Sequence, residues 1–412
     1  MRILGVEPFT RLPGHHQWFA TRTCQALAAR GHEVKLLTHG GLLSASDERL
    51  TFPVLDAAAR RTRAVEDGRR SVAVLDLSNA RLRRMRVGLR TFRAAYALLR
   101  QEPYDVVHYF DAHPLDLLLS FYGHLGRRLK GRPVLIANCH FIRPSPVKGD
   151  AWEAAKDWLH RQVLLTLMQR HLDALVVLDP SLKSALLEWV KLPPEEANRI
   201  LLLPLPMNTV ELRSDRTEAR RELNLRMDET VLLCLGTLRR DKRIDLALQA
   251  FNGIPCSRLV IAGPRCDLDA ADIKRMILEY ADPDRVTVEV AVLSEARMRA
   301  YLHAADVVLL PYSPGFKGQS GILTWACAAG RPVIASDVGV LGQTVREAGV
   351  GFTIEAGNVQ SLRNAILEFL TLTPDTRAII GQRCRDLARR FSWDVVCAEL
   401  ENCYRALVNP KS

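Results

Sequence analysis

Short apolar segments that alternate with longer helical stretches are the feature that most restricts the fold of this chain. Examples are "DALVVL" at 173–178, "TVLLCLG" at 230–236 and "PVIAS" at 332–336. Continuous apolar runs of this length are typical of strands that are covered on both faces, as in parallel sheets with crossover helices. Because the alternation runs through both halves of the chain, we predict an α/β protein with two doubly wound, Rossmann-like domains.

The length of the chain and one charged stretch set the expected domain boundary. The chain has 412 residues, which suits two domains of ordinary size. A charged stretch at 213–227 leads from the first series of strands into the second. We therefore place one domain at 1–206 and another at 207–390. The last segment, 391–412, follows the final strand, and we expect its helix to cross back onto the first domain.

Cysteine use and hydropathy indicate a cytoplasmic protein without a structural metal. The nine cysteines form no Cys-x-x-Cys pair, and we see no metal-ligand spacing of Cys and His. The N-terminus "MRILGVEPFT" lacks the apolar core of a signal peptide. The longest apolar runs are much shorter than the roughly 20 residues of a membrane helix. We expect reduced thiols, no metal and no cofactor.

The net charge of +11 is concentrated in one segment. Residues 58–100 contain twelve arginines and three acidic residues, a net charge of +9. Apolar residues from Leu82 to Leu99 recur at spacings of three and four, which predicts one buried face of a helix. The arginines either lie in solvent on a packed helix or form a docking face for an anionic membrane or an acidic acceptor. Nucleic acid is not expected as a partner, because no aromatic stacking platform accompanies the arginines.

Polar residues that follow the predicted strands are candidates for ligand binding. Open parallel sheets bind ligands outside the carboxyl ends of their strands. In the first half these residues are Gly14, His15, His16, Asp111, His113 and His140. In the second half they are Arg239, Arg240, Lys242, Pro264, Arg265 and the loop 312–321. The second set is basic, which suits a phosphorylated donor, whereas the first suits a polar acceptor.

The stretch 317–337, "KGQSGILTWACAAGRPVIASD", places glycines directly before an apolar helix. Backbone N–H groups at the start of a helix lack partners and attract an anion. The backbone of 318–322 is therefore a candidate diphosphate cradle. An ordinary loop–helix–strand unit is the alternative interpretation.

Five segments, in this order, resemble the retaining glycosyltransferases of family 4, which have the GT-B fold. They are "GHHQWFATRTCQALAARGHEV" (14–34), "LGTLRRDKRIDLALQAF" (235–251), "LVIAGP", "YLHAADVVLLPY" with "WACAAGRPVIASDVG", and "RFSWDVV" (390–396). The resemblance implies two domains that face a cleft and a nucleotide-sugar co-substrate in the second domain. It also implies that Lys242 grips the donor diphosphate and that His140 lies near the reacting carbon of the sugar.

The chain departs from the family pattern at side chains that usually contact the donor. The family has two glutamates eight positions apart in the opening block, where this chain has Lys317 and Trp325. An arginine that often follows the glycine of the basic loop is replaced by Thr237. The departures leave two alternatives open, a non-catalytic GT-B partner subunit of an active transferase and a sugar-nucleotide hydrolase or epimerase.

The expected function is transfer of a sugar, with retention and without a metal, to a carbohydrate, lipid-linked or small-molecule acceptor. Peripheral attachment to the inner face of a membrane is a further expectation. The candidate catalytic residues are His140 and Lys242. The candidate donor-binding residues are Gly236, Arg240, Lys242, Lys317, Gly318, Ser320, Gly321, Ile322 and Trp325. The candidate acceptor-binding residues are Gly14, His15, His16 and Asp111.

Several of these candidates also have a structural interpretation. Lys242 could be a surface lysine, and His140 a core histidine. Trp325 could belong to the core rather than stack on a base or sugar. Asp111 and one of the two histidines at 15–16 could simply cap the helices that follow them.

Overall fold

Two parallel sheets, one in each half of the chain, carry the helices. A computed structural model describes residues 1–7, 16–38, 54–56, 80–110, 132–139, 151–178, 180–207, 216–316, 318 and 320–409. The chain divides into two units. The first unit consists of Met1–Pro204 and Trp393–Ser412, and the second is Leu205–Ser392.

The described residues of the first unit form a seven-stranded sheet with all neighbours parallel. Its strands are Arg2–Glu7 (β1), Glu33–Thr38 (β2), Val54–Asp56 (β3), Val106–Tyr109 (β4), Val134–Cys139 (β5), Ala174–Val177 (β6) and Ile200–Leu202 (β7). The order is β3-β2-β1-β4-β5-β6-β7, so the winding direction reverses at β1 as in a doubly wound fold.

Helices cover both faces of this first sheet. They are His16–Ala29 (α1), Ala80–Gln101 (α2), Ala151–Arg170 (α3), Pro180–Val190 (α4), the short Pro194–Ala197 (α5) and the C-terminal helix Trp393–Val408 (α14). Helices α2, α3 and α4 share one apolar core with Leu4, Val6 and Val107 of the sheet. Gly5 points to the other face, where a Cβ would meet Cys24 Sγ of α1 at 2.9 Å.

Two polar clusters, one buried and one partly exposed, attach the C-terminal helix to the first unit. His108 Nδ1 lies 2.6 Å from Tyr404 Oη, and His108 Nε2 lies 2.7 Å from Asn138 Oδ1. The Glu401 carboxylate accepts hydrogen bonds from Arg30 Nε at 2.5 Å and from the Arg405 guanidinium at 2.6 Å. Helix α14 therefore belongs to the first unit, although it follows the second unit in sequence.

The second unit contains a six-stranded parallel sheet of order β10-β9-β8-β11-β12-β13. Its strands are Thr230–Leu235 (β8), Ser257–Gly263 (β9), Val286–Val290 (β10), Val307–Leu310 (β11), Val333–Ser336 (β12) and Gly351–Ile354 (β13). Its α-helices are Arg216–Glu222 (α6), Ile244–Phe251 (α7), Ala270–Tyr280 (α8), Glu295–Ala304 (α9), Gly321–Ala328 (α10), Gly339–Ala348 (α11), Val359–Thr371 (α12) and Pro374–Arg390 (α13). Separate apolar clusters cover the two faces of the sheet, because Leu233 packs on one face and Leu232 on the other.

Capping residues set the starts of several helices in the second unit. Asp269, Ser294, Asn358 and Thr373 each accept a hydrogen bond from a backbone N–H of the helix that follows. Gly349 ends α11 in the left-handed region, with φ of +58°. The sequence thus fixes these helix limits locally, before packing is considered.

The structure confirms the predicted fold class, an α/β protein with two Rossmann-like, doubly wound domains. Strand β3 was not predicted from the sequence. The apolar segment "SVAVLDL" at 71–77, whose composition also predicts a strand, lies outside the described residues. In the described part of the chain, no helix combines the length and the apolar character needed to cross a membrane.

Candidate functional site

Two strand ends in the second unit approach each other closely, and each carries a glycine. Gly236 follows β8 with φ of +95°, and Gly263 ends β9 with φ of +151°. A Cβ on Gly263 would overlap the carbonyl group of Gly236. The Gly236 N–H donates to Ala262 O at 2.8 Å. A side chain at Gly263 would force these strand ends apart, and a side chain at Gly236 would meet Ile322 and Lys242 in a left-handed backbone conformation. The sequence can therefore build this corner only with glycine.

Lys242 lies in a single 3₁₀ turn, Arg240–Lys242, that follows this corner. Its Nζ donates to Leu235 O at 3.2 Å and lies 5.7 Å from the centre of the Tyr312 ring. Burial and, to a smaller extent, the neighbouring charge of Arg239 lower the pKa of Lys242 to about 8. The neighbouring carboxylate of Asp241 is held by Arg239 at 2.8 Å. Of the carboxylates that the structure describes, none forms an ion pair with Lys242.

Helix α10 begins with two backbone N–H groups that have no acceptor among the described residues. Ser320 Oγ caps the helix by accepting from Leu323 N at 3.3 Å, and it also lies 2.9 Å from Tyr312 Oη. The N–H groups of Gly321 and Ile322 precede the first intrahelical bond and have no acceptor among the described residues. They are therefore available, with the positive end of the helix dipole, to an anion.

The strand-end glycine, the lysine and the first turn of α10 meet at one point. A Cβ on Gly236 would lie 2.9 Å from Lys242 Nζ and 2.8 Å from Ile322 Cδ1. A small pocket opens here, lined by Cys234, Leu235, Gly236, Leu238, Lys242, Ile244, Leu309 and Tyr312. The arrangement combines a partly desolvated ammonium group with free backbone donors, which is suited to a phosphate or diphosphate.

Three further predicted residues lie on the same loops but make different contacts. Arg240 is exposed, and its backbone N–H donates to Asp267 Oδ2 at 3.0 Å. Its guanidinium has no carboxylate partner among the described residues. Gly318 is exposed, with space for a Cβ at 3.5 Å from the Phe316 ring. Trp325 is half-buried against the apolar core of the unit.

Five predicted site residues lie outside the described part of the chain, namely Gly14, His15, Asp111, His140 and Lys317. His16 is the first residue of α1, but only its backbone is described. The proposed acceptor side and the proposed position near the reacting carbon therefore remain predictions.

Tyr312 and Gly263 were missing from the predicted donor-binding set. Tyr312 is buried, and burial raises the pKa of its hydroxyl to about 12. It contacts both the lysine and the helix cap, so it links two parts of the site. Tyr312 follows β11 by two positions, so the rule that polar residues after parallel strands approach the ligand did select it as part of the loop 312–321, although it was not carried into the donor-binding set.

The described residues contain no group of three or more His, Cys, Asp or Glu side chains that could hold a metal ion. The cationic and N–H groups described above are the candidate anion ligands.

Two family models match the chain, one in each half. Residues 17–204 match "Glycosyltransferase Family 4", and residues 215–386 match "Glycosyl transferases group 1". Together they cover most of the sequence. The site described above lies inside the second match.

Curated relatives match less than the full length. A D-inositol 3-phosphate glycosyltransferase of Mycobacterium leprae is 32% identical over 200 residues, which is 47% of this chain and 46% of that protein. A protein of the same name from Rhodococcus erythropolis is 32% identical over 208 residues, which again is 47% of this chain and 46% of that protein. The chain thus spans about half the length of the curated relatives that it matches.

Solved structures match the fold over nearly the whole chain. Sucrose-phosphate synthase of Thermosynechococcus elongatus has a TM-score of 0.75 at 21% identity and covers 100% of both chains. The Anabaena protein HepE in complex with UDP has a TM-score of 0.71 at 14% identity, covering 98% of this chain and 100% of HepE. At these identities the structural matches establish the fold alone.

Proposed function

We propose that this chain, which belongs to the family 4 glycosyltransferases, transfers a sugar with retention from a nucleotide-sugar donor to an acceptor. The observation that carries the proposal is the meeting of Gly236, Lys242 and the first turn of α10 at one point. A nucleotide-sugar donor leaves as a nucleoside diphosphate. The site offers the charge and the backbone donors that this leaving group requires.

Negative charge accumulates on the diphosphate as the bond to the sugar breaks. Lys242 Nζ and the N–H groups of Gly321 and Ile322 would stabilise that charge more strongly in the transition state than in the bound donor. Arg240 would add a solvent-exposed cation at the rim. We propose that these groups suffice without a divalent ion, because a cation and a helix N-terminus converge on the same position.

The nucleotide part of the donor is proposed on two grounds. HepE has been solved in complex with UDP and with UDP-glucose. In this chain, a nucleotide-sized diphosphate would place its phosphates against the corner at Gly236 and leave its base to the neighbouring loops. We place the donor in the second domain, 207–390, and the acceptor in the first, 1–206.

Two positions outside the described residues complete the proposal. His140 would contact the sugar near its reacting carbon, as the family resemblance implies. Lys317 replaces the acidic residue that usually faces the transferred sugar. An ammonium group only donates hydrogen bonds and attracts anions, so it would favour a sugar that carries a carboxylate or phosphate, or would add a contact to the diphosphate.

A non-catalytic partner subunit is the second candidate function. It is favoured by the replacement of the two family glutamates by Lys317 and Trp325. Trp325 packs against the apolar core, so it does not substitute directly for a carboxylate that would hold a ribose. Such a subunit would keep the diphosphate site but release no nucleoside diphosphate from a donor.

One experiment separates the two functions. The purified protein is first titrated with UDP, GDP and ADP by calorimetry in excess chelator, and then incubated with the corresponding sugar nucleotides and candidate acceptors. Binding in chelator together with acceptor-dependent release of nucleoside diphosphate supports the transferase. Binding without release from any donor supports the partner subunit, and binding only after addition of a divalent cation contradicts the proposed metal-free site.

We also propose that the acceptor domain docks on an anionic lipid bilayer through the layer formed by α2, α3 and α4. On α2, Arg90, Arg93 and Arg100 are exposed, whereas Phe92 on the opposite side is buried in the core of the layer. The exposed arginines have no carboxylate partner among the described residues. Trp158 of α3 is 60% exposed, although α3 packs on the same sheet face.

The combination of cations with an exposed indole matches the chemistry of a bilayer surface. Anionic headgroups attract each Lys or Arg near the surface by about 1 kcal/mol, and tryptophan prefers the headgroup region. An acidic protein partner would be attracted by the arginines but would not need Trp158. Vesicle binding that depends on both features therefore distinguishes lipid from an acidic acceptor.

A further inference from the structure

An arginine cluster lies at the opposite end of the second sheet from the donor site. Strands β11 and β12 are parallel and pair Val308 with Val333. Asp306 and Arg331 each lie two residues before these partners, so they are neighbours at the N-terminal edge of the sheet. Gly236, in contrast, follows the C-terminal end of β8. The four-residue strand β11 separates the two edges by about 13 Å.

Asp306 is the acidic centre of the cluster, and its oxygens are already engaged. Its Oδ1 accepts from Arg216 Nη2 at 2.8 Å, and its Oδ2 accepts from Arg220 Nη2 at 2.8 Å. The Val231 N–H also donates to Oδ2 at 2.8 Å. Arg220 is fully buried and satisfies its remaining donors on backbone carbonyls, including Ala304 O. Asp306 therefore already forms ion pairs with two arginines, Arg216 and Arg220.

Arg331 is a third arginine of the cluster, and its guanidinium has no hydrogen-bond partner among the described residues. Its Nε atom is buried and unpaired. Its backbone is fixed, because Arg331 N donates to Ala326 O at 2.8 Å and Cys384 Sγ donates to Arg331 O at 3.4 Å. Burial lowers the pKa of Arg331 to about 10, so the group still carries its full charge near neutral pH.

A fourth arginine approaches the same turn from α13. The Arg385 guanidinium occupies the space that a Cβ on Gly330 would need. It donates to the neutral amide oxygen of Gln382 at 2.9 Å, not to a carboxylate. The carboxylate that follows it, Asp386, is bound by Arg389 at 2.9 Å. Nothing described on α13 therefore neutralises Arg385.

The cluster carries four guanidinium groups against one carboxylate, and burial makes that excess costly. A buried charge without a partner is unfavourable unless an opposite charge or hydrogen-bond acceptors reach it. The neighbouring carboxylate of Glu229 is bound elsewhere, by Arg258 at 2.8 Å. Arg216 is 40% exposed, so the cluster is open to solvent on one side.

We infer that Arg331, Arg385 and Arg216 form a second anion site, separate from the donor site, that binds a phosphate group. A planar guanidinium presents paired donors that match the oxygens of a phosphate, and several such forks around one position favour a dianion. The phosphate group could belong to inorganic phosphate or to a small phosphorylated metabolite. The chemistry recognised at the arginines is the same for both.

The test uses a protein whose donor site is disabled. In Lys242→Ala, calorimetry with inorganic phosphate at constant ionic strength is expected to show one saturable site. Adding Arg331→Gln should weaken that binding by about ten- to a hundredfold, the range of a hydrogen-bonded charge pair. Adding Arg275→Gln is the matched control, because Arg275 is 70% exposed on α8 and its loss also removes one charge from the unit. This control should bind phosphate like Lys242→Ala.

Two further variants protect the test against misfolding. Arg331→Lys keeps the charge without the paired donors and should bind phosphate with intermediate affinity. Arg385→Gln should weaken binding without altering the buried turn at Gly330. Arg331 variants that bind phosphate as well as the Arg275→Gln control would overturn the inference, as would the absence of saturable binding in Lys242→Ala. Either result would mean that water alone solvates the cluster.

A final comparison identifies the source of the phosphate group. Inorganic phosphate, a hexose phosphate and the unphosphorylated hexose are titrated into Lys242→Ala in parallel. Tighter binding of the hexose phosphate indicates a phosphorylated metabolite, whereas tighter binding of inorganic phosphate indicates the free anion. Equal binding of the unphosphorylated hexose would contradict recognition through the arginines.

Discussion

Replacing Lys242 with methionine should stabilise the empty second unit and weaken diphosphate binding at the same time. Methionine keeps most of the apolar side-chain volume but removes the ammonium group. In the wild type that group is held against Leu235 O and the Tyr312 ring without a carboxylate partner in the described structure. The lysine is therefore poised for a ligand at the expense of stability.

The pKa of Lys242 sets the size of the effect. Burial lowers it from 10.5 to about 8, and each pKa unit corresponds to about 1.4 kcal/mol, so the charged amine destabilises the folded unit by about 3 kcal/mol at most. Lys242→Met also loses the hydrogen bond to Leu235 O, which costs about 1 kcal/mol and offsets part of this gain in stability. We expect Lys242→Met to raise the free energy of unfolding of the second unit by about 2 kcal/mol.

The pH dependence of this difference has a defined sign. Below pH 8 the lysine is protonated in both the folded and unfolded states, so the wild type bears the full destabilisation. Between about pH 8 and 10.5 the folded state releases its proton first, so wild-type stability rises with pH. The advantage of Lys242→Met should therefore be largest below pH 8 and disappear toward pH 10.5.

Hydrogen exchange of the β8 amides measures this local stability without assuming that both units unfold together. Lys274→Met is the matched control, because Lys274 is exposed on α8 and should leave protection unchanged. Calorimetry with a nucleoside diphosphate should show affinity about ten- to a hundredfold lower for Lys242→Met. The reasoning is refuted if the variant is less stable than the wild type below pH 8, or if it binds the diphosphate equally well.

Other parts of the structure give three further predictions. Gly236→Ala should abolish diphosphate binding, measured by calorimetry, because its Cβ would meet Lys242 and Ile322 in a left-handed backbone conformation; retained affinity would argue against the proposed corner. Glu401→Gln should lower the free energy of unfolding of the first unit by about 1–2 kcal/mol above pH 4.5, and this difference should vanish as the pH falls toward 2. The reason is that hydrogen bonds from Arg30 and then Arg405 lower the pKa of Glu401 to about 2. Urea titrations in which the two proteins differ equally at all pH values would contradict this. Trp158→Ala should reduce cosedimentation with anionic vesicles several-fold at fixed salt, and equal binding to neutral and anionic vesicles would instead indicate that α2 and α3 simply pack on the sheet.

The sequence predicted the framework well because strand signals are local. The apolar runs at 173–178, 230–236 and 332–336 are found as strands with ends that agree within one residue. The three-residue β3 was missed, since "VLD" is too short for any periodicity to develop. Its place in the sheet depends on pairing with β2, which no local pattern encodes.

The candidate donor site was predictable in its residues but not in its contacts. Glycines after strands and a basic loop before a helix are local signals, and they selected Gly236, Lys242 and the start of α10. The sequence did not predict that Lys242 is buried, because a lysine between arginines is typical of an exposed surface. Its environment depends on Tyr312, which follows β11 and lies seventy residues further along the chain.

The arginine cluster shows why a second anion site escapes sequence reasoning altogether. Arg216 and Arg220 face one side of a short helix, Arg331 precedes a strand, and Arg385 lies on a helix after the last strand. Each has an ordinary interpretation by itself, and a sequence with 57 lysines and arginines contains many similar positions. What distinguishes these four is the register of β11 with β12, which places Asp306 beside Arg331, and the close passage of α13 over Gly330. Because one carboxylate is then shared among several cations, the charge excess is a property of the folded unit, and removing Arg331 tests it more directly than any change in overall charge.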